Sequence, residues 1–381
     1  MNNRKKILVF IDWFLPGYRA GGPIRSCANL INHLADYFDF YVITRNTDYL
    51  SSNPYLNIES DKWIYCKEYK CSVYYLSSKN LSVKNIKRIT SEIEVDEVYI
   101  NGIFSFYFSL LPLIICRKQR LIIAVRGMLA PAALRLKFIK KKLFLELLKI
   151  FGLYNKVLFH ATNDDEKNQI FKNVGKNVNI KVASNLAKAT KSENKLTYVD
   201  KSTGKLKMIM PARIAPEKNT FFALDCLLDM VWDGEIILDL YGAIYDEDYW
   251  TQCKKLITEL PKNVRVEYKG VLKPEDMDAQ LSEYHFMYLP TKGENFGHVI
   301  LESLIAGVPV LISDKTPWKN LVSDNIGYDL PLNKEVFAKR IASLLELDNN
   351  SYQEKRRCVY NYGKTLEVNK DWLNQNIQLF S

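Results

Sequence analysis

The chain has 381 residues, 48% of them apolar and 25% charged, with a formal net charge of +10. That average mix excludes a disordered, collagenous or polytopic membrane protein, and the length predicts two domains of roughly 150–200 residues. The charge is uneven: residues 1–190 carry 29 Lys/Arg against 15 Asp/Glu, and residues 191–381 carry 24 against 28. A basic half joined to a mildly acidic half predicts one domain that faces an anion, whether nucleic acid, a membrane surface or a phosphorylated substrate.

The basic start Met1–Lys6 runs into an apolar stretch, Ile7–Ile11, that ends at Asp12 and is too short for a signal-peptide core. Short apolar strands are predicted at 7–11, 40–44, 72–76, 98–101, 121–125, 157–161 and 179–183, with helical patterns between them at 23–35, 83–93 and 104–116. Val98–Cys116 has no charge and approaches the length of a membrane span, but Asn101-Gly102 and Pro112 divide it, so it reads as a strand–turn–buried helix. Residues 134–150 read as a basic amphipathic helix with Arg135, Lys137, Lys140, Lys141, Lys142 and Lys149 against Glu146. Its apolar positions include Leu136, Phe138, Ile139, Leu143, Phe144, Leu147 and Leu148. Such a helix can lie on an anionic membrane or pack on a core with a solvated basic edge.

Lys188–Lys205, rich in Lys, Ser, Asn and Thr and without periodicity, reads as an interdomain linker. Strands resume at 206–210, 235–241, 264–269, 286–290 and 308–313, with helices near 220–228, 246–260, 274–283 and 298–306 and mostly helix from 334 onward. Two βαβ series imply an α/β fold of two doubly wound parallel-sheet domains, 1–190 and 206–360, joined by a linker 191–205. A C-terminal helix in 361–381 is expected to pack back on the first domain. Ligands of such sheets bind at the carboxyl ends of strands, so two facing sheets predict a cleft between them. The seven cysteines (27, 66, 71, 116, 226, 253 and 358) contain no Cys-x-x-Cys, and there are four histidines. A disulfide framework or zinc site is not expected, and a reducing cytosol is.

Three loops carry candidate chemistry. Gly21-Gly22 before Pro23-Ile-Arg25 fits a glycine turn opening a helix, whose free N–H groups suit phosphate. It is not the dinucleotide fingerprint, which argues against a dehydrogenase. Arg213 and Lys218 flank a Pro-containing turn after strand 206–210, two cations placed for a diphosphate. The sharpest segment is Leu289-Pro-Thr-Lys-Gly-Glu294-Asn-Phe-Gly-His-Val-Ile-Leu-Glu302, closed by Gly307-Val-Pro309-Val. Glu294 falls in the turn, and Glu302 falls about one turn into an apolar helix, where a carboxylate needs a partner such as a ribose diol. Asp246-Glu-Asp248 has the form of a metal-binding Asp-x-Asp, but it opens a helix and reads as a cap. His298 reads equally as a phosphate contact or a packing side chain. No basic–aromatic pattern points to nucleic acid.

The Glu294…Glu302 element within ENFGHVILESLIAGVPVLIS, followed by Thr316-Pro-Trp318, resembles the donor site of retaining glycosyltransferases of family 4. The likeness extends to Ala212-Arg-Ile-Ala-Pro-Glu-Lys-Asn219, Gly21-Gly22, Arg126-Gly-Met-Leu129 and His160-Ala-Thr162, covers nearly the whole chain in order, and leans toward the branch that builds bacterial exopolysaccharide, capsule and O-antigen. The resemblance implies the GT-B fold, a donor site on the C-terminal domain and an acceptor site on the N-terminal one, no metal and no cofactor. It implies a nucleotide-diphosphate sugar, UDP-sugar ahead of GDP-sugar, and a polyprenyl-diphosphate-linked or other glycan acceptor. Arg213 and Lys218 would bind the leaving diphosphate and Glu294 the donor sugar. Asn295, Phe296 and Gly297 would add backbone contacts, Glu302 would hold the ribose, and Gly21 and Gly22 would close over the diphosphate. Base contacts are expected near Gly270, Leu272 and Tyr241-Gly242. Where relatives carry His-Gly after the fifth strand this chain has Arg126-Gly127, so a phosphate contact is expected of Arg126 in place of the sugar contact. The implied enzyme works on the inner face of the cytoplasmic membrane, attached peripherally through Lys140, Lys141 and Lys142. The alternatives are an epimerase or phosphorylase of the same fold, or a non-catalytic carbohydrate-binding scaffold.

Overall fold

The computed structural model describes residues 4–135, 138–189, 196–228 and 230–381, so Leu136, Lys137 and linker residues 191–195 lie outside the described residues. The chain divides into two compact units, one of residues 1–189 with 369–381 and one of residues 190–368.

The first unit holds β1 (Lys6–Ile11), α1 (Gly22–Leu34), β2 (Asp39–Arg45), β3 (Trp63–Cys66), β4 (Cys71–Leu76), α2 (Val83–Ser91) and β5 (Glu97–Asn101). After β5 come a π-helical turn (Phe106–Leu110), α3 (Leu111–Ile115), β6 (Arg120–Ala124), α4 (Pro131–Arg135), α5 (Phe138–Ile150), β7 (Val157–Ala161), α6 (Asp164–Asn173) and β8 (Asn179–Val182). The eight strands order as β3-β4-β2-β1-β5-β6-β7-β8, parallel except for β3 against β4. Chain order reverses between β1 and β5, which makes the carboxyl edge there a topological switch point. β1 explains why the apolar runs are unbroken: Ile7, Val9 and Ile11 enter the core on one face, and Leu8 and Phe10 enter that on the other.

The second unit holds β9 (Lys205–Pro211), α7 (Thr220–Asp225), β10 (Glu235–Tyr241), α8 (Glu247–Glu259), β11 (Val264–Tyr268), α9 (Met277–Leu281) and β12 (Phe286–Leu289). α10 (His298–Ile305), β13 (Val310–Ser313), β14 (Gly327–Leu330), α11 (Lys334–Leu345) and α12 (Asn349–Glu367) complete it. Its six strands are all parallel in the order β11-β10-β9-β12-β13-β14, with the switch point between β9 and β12. α13 (Lys370–Ile377) then rejoins the first unit, where Leu379 and Phe380 are fully buried beside Phe38, Phe40 and Tyr99. Asn376 Nδ2 donates to Ser184 O at 2.8 Å and locks that return.

Three expectations shift. A boundary at 360/361 falls inside α12, which runs without a break to Glu367, so the division lies after Val368. Residues 196–204 are not a free linker. Gln353 Nε2 on α12 donates to Val199 O at 2.7 Å, Arg356 Nη1 donates to Thr197 O at 2.5 Å, and buried Lys201 Nζ donates to the carbonyls of Ser202, Leu345 and Leu347. The helix predicted over 104–116 is a π-helical turn followed by one short helix, started by Ser105, whose Oγ accepts from Phe108 N.

Candidate functional site

The switch point of the second unit assembles the predicted cations and carboxylates from two loops. The loop after β9 and the loop after β12 are stitched by backbone and side chain. Lys292 N donates to Glu217 O at 2.9 Å, Thr291 Oγ1 donates to the same carbonyl at 3.0 Å, and buried Asn219 Nδ2 donates to Pro290 O at 3.0 Å. Asn219 takes the left-handed conformation (φ 65°) that asparagine tolerates better than most side chains. Across this seam Lys218 Nζ is hydrogen-bonded to Glu294 Oε1, with side chains only 16% and 13% exposed. Residues 76 apart in sequence therefore form one charged pair at the crevice.

Arg213 does not join that pair. Its guanidinium lies 4.6 Å from the ring centre of Tyr245 and contacts Glu217 Oε1 at 3.3 Å. The backbone explains the placement: Ile214 N donates to Ala243 O at 2.9 Å and Tyr245 N donates to Ile214 O at 3.1 Å, extending the β9–β10 pairing past both strand ends. Gly242 makes this possible, because a Cβ there would lie 2.2 Å from Ala212 O and φ is +140°. Gly242 N also donates to Gly270 O at 2.8 Å, which brings the end of β11, with half-buried Leu272 after it, against the same row of strand ends.

On the other side, Phe296, Trp318 and His298 form a small aromatic cluster, with ring centres 5.7 and 5.0 Å from Phe296. Trp318 Nε1 donates to Phe296 O at 2.6 Å and shapes the turn through Gly297 (φ 80°) into α10. His298 is buried in this cluster, and Glu302 is half-buried on α10. Asn295 is half-buried in the turn itself. Asp246 accepts from Tyr249 N at 2.9 Å as the N-cap of α8, with Glu247 and Asp248 in its first turn. Among the described residues no cluster of three or more His, Cys, Asp or Glu side chains could hold a metal ion.

The remaining predicted residues lie in the first unit. Gly21 is the N-cap of α1, Gly22 is its first residue, and Pro23 is in its first turn. Arg126 is not a cation presented to solvent. It is 8% exposed, and its Nε, Nη1 and Nη2 donate to Asn101 Oδ1, Asn185 Oδ1 and Tyr99 OH at 2.7, 2.6 and 2.6 Å. Tyr99 OH then donates to His160 Nδ1 at 2.8 Å, and His160 Nε2 donates to Ala183 O at 2.8 Å, a tautomer assigned from that carbonyl. Burial, helped by the Arg126 charge, pushes the His160 imidazole down to about 3, so it is neutral. Any phosphate at Arg126 would have to share a guanidinium already committed on all three nitrogens.

The adjacent Glu166 is an unforeseen organiser of this turn. It is fully buried and accepts from Gly127 N, Thr162 N and Thr162 Oγ1 at 2.5, 2.7 and 2.8 Å. It thereby holds Arg126 and Gly127 in consecutive left-handed conformations (φ 55° and 73°). Its spacing after Asn163, the N-cap of α6, is visible in the sequence, but its partner Gly127 is not.

Of the three lysines proposed for a membrane, Lys140 and Lys142 are exposed, whereas Lys141 Nζ donates to Ala133 O at 2.6 Å and lies 5.2 Å from the Phe104 ring centre. α5 buries Leu145 and Leu148, yet Ile139, Leu143 and Ile150 are 80%, 60% and 77% exposed, as is Phe151 at 69%. Among the described residues no helix is long and apolar enough to cross a membrane.

Residues 191–365 match the sequence model of the glycosyl transferases group 1. No curated protein matches the chain by sequence. Among solved structures, HepE from Anabaena in complex with UDP and glucose is 16% identical, with a TM-score of 0.70 over 99% of this chain and 98% of that one. The sucrose-phosphate synthase from Thermosynechococcus elongatus is likewise 16% identical, with a TM-score of 0.69 over 99% and 98%. The pneumococcal O-GlcNAc transferase GtfA in complex with UDP and GlcNAc is 10% identical, with a TM-score of 0.62 over 99% of both chains. The fold is GT-B, with two doubly wound α/β domains and no closed barrel.

Proposed function

We propose that the protein is a retaining glycosyltransferase that moves a sugar from a nucleotide-diphosphate sugar to a lipid-linked surface glycan. The observation that carries this reading is the seam of the second unit, where the Lys218–Glu294 pair sits at a switch point beside Arg213 and below the start of α10. The neighbouring structures with bound UDP favour a UDP-sugar donor.

In this reading the diphosphate enters beside Lys218 and Arg213, drawing Lys218 from Glu294, and Arg213 turns from Glu217 toward the second phosphate. Glu294 is then free to accept hydrogen bonds from sugar hydroxyls. Asn295, Phe296 and Gly297 supply backbone contacts, and Glu302 binds the ribose. Breaking the anomeric C–O bond builds an oxocarbenium-like sugar and negative charge on the diphosphate. Fixed cations and the N–H groups at the start of α10 stabilise that charge without reorganisation. The acceptor hydroxyl gives its proton to the departing phosphate as its oxygen bonds the same face of the anomeric carbon. We propose the reaction without a bound metal.

Acceptor and location follow from the basic domain. Exposed Lys140 and Lys142 border the apolar stripe of α5, which suits peripheral attachment to an anionic cytoplasmic membrane. The deciding experiment is a thermal-shift screen of nucleotides and nucleotide sugars, followed by NMR of the product anomer. A ligand at about 100 times its Kd stabilises by about 2.7 kcal/mol. No stabilisation by any nucleotide removes the donor site, and an inverted anomer removes the retaining mechanism.

A further inference from the structure

Three strand ends of the second unit are joined, next to the Lys218–Glu294 pair, by two hydroxyls that solvent does not reach. β9, β12 and β13 lie side by side in the sheet. Thr291, just past the end of β12, and Ser313, the last residue of β13, are both fully buried. The Thr291 hydroxyl donates to Glu217 O at 3.0 Å, with Gly293 O at 3.1 Å as its alternative acceptor, and accepts from Gly293 N at 3.3 Å. One oxygen thus touches the residue before Lys218 and the residue before Glu294. Ser313 Oγ donates to Thr291 O at 2.5 Å and accepts from Lys315 N at 3.4 Å, and Lys315 O in turn accepts from Glu294 N at 3.1 Å. The bonds therefore run from the backbone beside Lys218, through both hydroxyls, to the backbone of Glu294.

From this circuit we infer that Thr291, backed by Ser313, is a positioning residue that sets the spacing of Lys218 and Glu294. Both side chains are fully buried, so neither hydroxyl meets a substrate and each acts only through the backbone it holds. Two facts separate this role from the ordinary satisfaction of buried carbonyls. Glu217 O already has a donor in Lys292 N at 2.9 Å, so the Thr291 hydroxyl adds a second bond to an acceptor that is satisfied without it. The contacts of Thr291 also fall on two different loops, at the residues that adjoin the charged pair. Lys292 N and Asn219 Nδ2 would keep those loops together without the hydroxyl, so its loss costs precision rather than attachment. The consequence for turnover rests on the transferase reading, in which Lys218 faces the leaving diphosphate and Glu294 the sugar. Fixed charges act only where they are well placed, and a misplacement of about 1 Å can cost about a hundredfold in rate.

Thr291→Val, which exchanges the hydroxyl for a methyl group, tests the role in the full-length protein. The rate assay follows UDP release from whichever UDP-sugar stabilises the protein most, at a temperature well below unfolding. In Thr291→Val kcat should fall by at least about tenfold while the donor KM changes by less than about threefold, and Thr291→Ser should recover most of the loss. In a Lys218→Ala background the same substitution should cost at least about threefold less than in the wild type, because one of its two routes to the reaction is gone. The ammonium NMR signal of Lys218, assigned by its absence from Lys218→Ala, should move in Thr291→Val with no ligand present and return in Thr291→Ser. If Thr291→Val fails to fold, Ser313→Ala, which only removes an atom, gives the same readings with a smaller loss. Normal kcat in the folded variant, an equal loss with and without Lys218, or an unmoved Lys218 signal would each overturn the inference. A wild-type protein that binds no nucleotide, yet whose Lys218 signal moves in Thr291→Val, would instead sink the transferase reading and leave the positioning role standing.

Discussion

The Lys218–Glu294 pair makes an opposite-sign prediction for its two members. In the ligand-free protein each neutralises the other, and both side chains are mostly buried. A unit-charge pair about 4 Å apart at an effective dielectric of about 20 is worth about 4 kcal/mol, and salt and residual solvent reduce that to about half or less at a crevice. On the proposed reading, UDP must break or share this pair to reach Lys218. Glu294→Gln removes the competing charge while keeping the shape, so UDP should bind tighter by about 1.4 kcal/mol, about tenfold. Turnover should nevertheless fall by at least about tenfold, because contacts of the charged carboxylate with the sugar in the transition state are lost. Lys218→Ala should weaken UDP and lower turnover together. Isothermal titration with UDP, alongside initial rates, reads both quantities. Weaker UDP binding by Glu294→Gln would refute the idea that Glu294 guards the diphosphate cation, and normal turnover in both variants would remove the seam from catalysis.

Other consequences are as direct. Arg213→Ala should lower turnover by at least about tenfold in the same rate assay, whereas Glu302→Ala should raise the donor KM more than it lowers kcat, since ribose contacts exist before and during the reaction. His160 is held neutral with its folded value near 3, below the unfolded value of about 6.5. As pH falls through that window the unfolded chain takes up a proton that the folded chain refuses, so stability drops by up to about 1.4 kcal/mol per pH unit. Urea unfolding at pH 6.5 and 5 should show a loss of about 2 kcal/mol that is smaller in His160→Gln. Flotation with anionic vesicles should capture the protein at low salt. Lys140→Glu with Lys142→Glu should release it, and Ile139→Ser with Leu143→Ser should also weaken it, while a Lys141 change should act mainly on stability. Wild-type protein that ignores such vesicles at low salt would end the membrane proposal.

Much of the fold was legible because buried parallel strands announce themselves as short apolar runs between turn residues. The strands that escaped notice are those with weak burial: β3 is an antiparallel edge strand with Tyr65 exposed, and β14 is a four-residue edge in which only Gly327 is buried. Residue types at the seam between the loops after β9 and β12 were equally legible, since a strand that ends in a turn of Glu, Gly and Asn before a helix carries its chemistry locally. Pairing was not. Glu166 reads as an ordinary acid in the first turn of α6, yet its carboxylate is spent on Gly127, and Arg126 looks like an exposed cation until Tyr99, Asn101 and Asn185 are brought to it from other strand ends.

The same limit separates Lys141 from its neighbours. Three consecutive lysines on a helix point about 100° apart, so no more than two can share one face. Ile139, Leu143, Leu147 and Ile150 fall within about 80° of arc on that wheel, and Lys140 and Lys142 fall on either side of them. Lys141 falls on the opposite face with Leu145 and Leu148, and its amine is consumed by the Ala133 carbonyl. A run of charge therefore overstates what a membrane could meet, and the apolar stripe between the two outer lysines, invisible as a separate feature in the sequence, becomes the larger share of the surface on offer. Binding held by that stripe should outlast salt, because added ions screen the lysines and leave apolar burial intact. If vesicle binding vanishes entirely at about 0.5 M salt, where the Debye length is below about 5 Å, the stripe is not inserted and α5 touches lipid by charge alone.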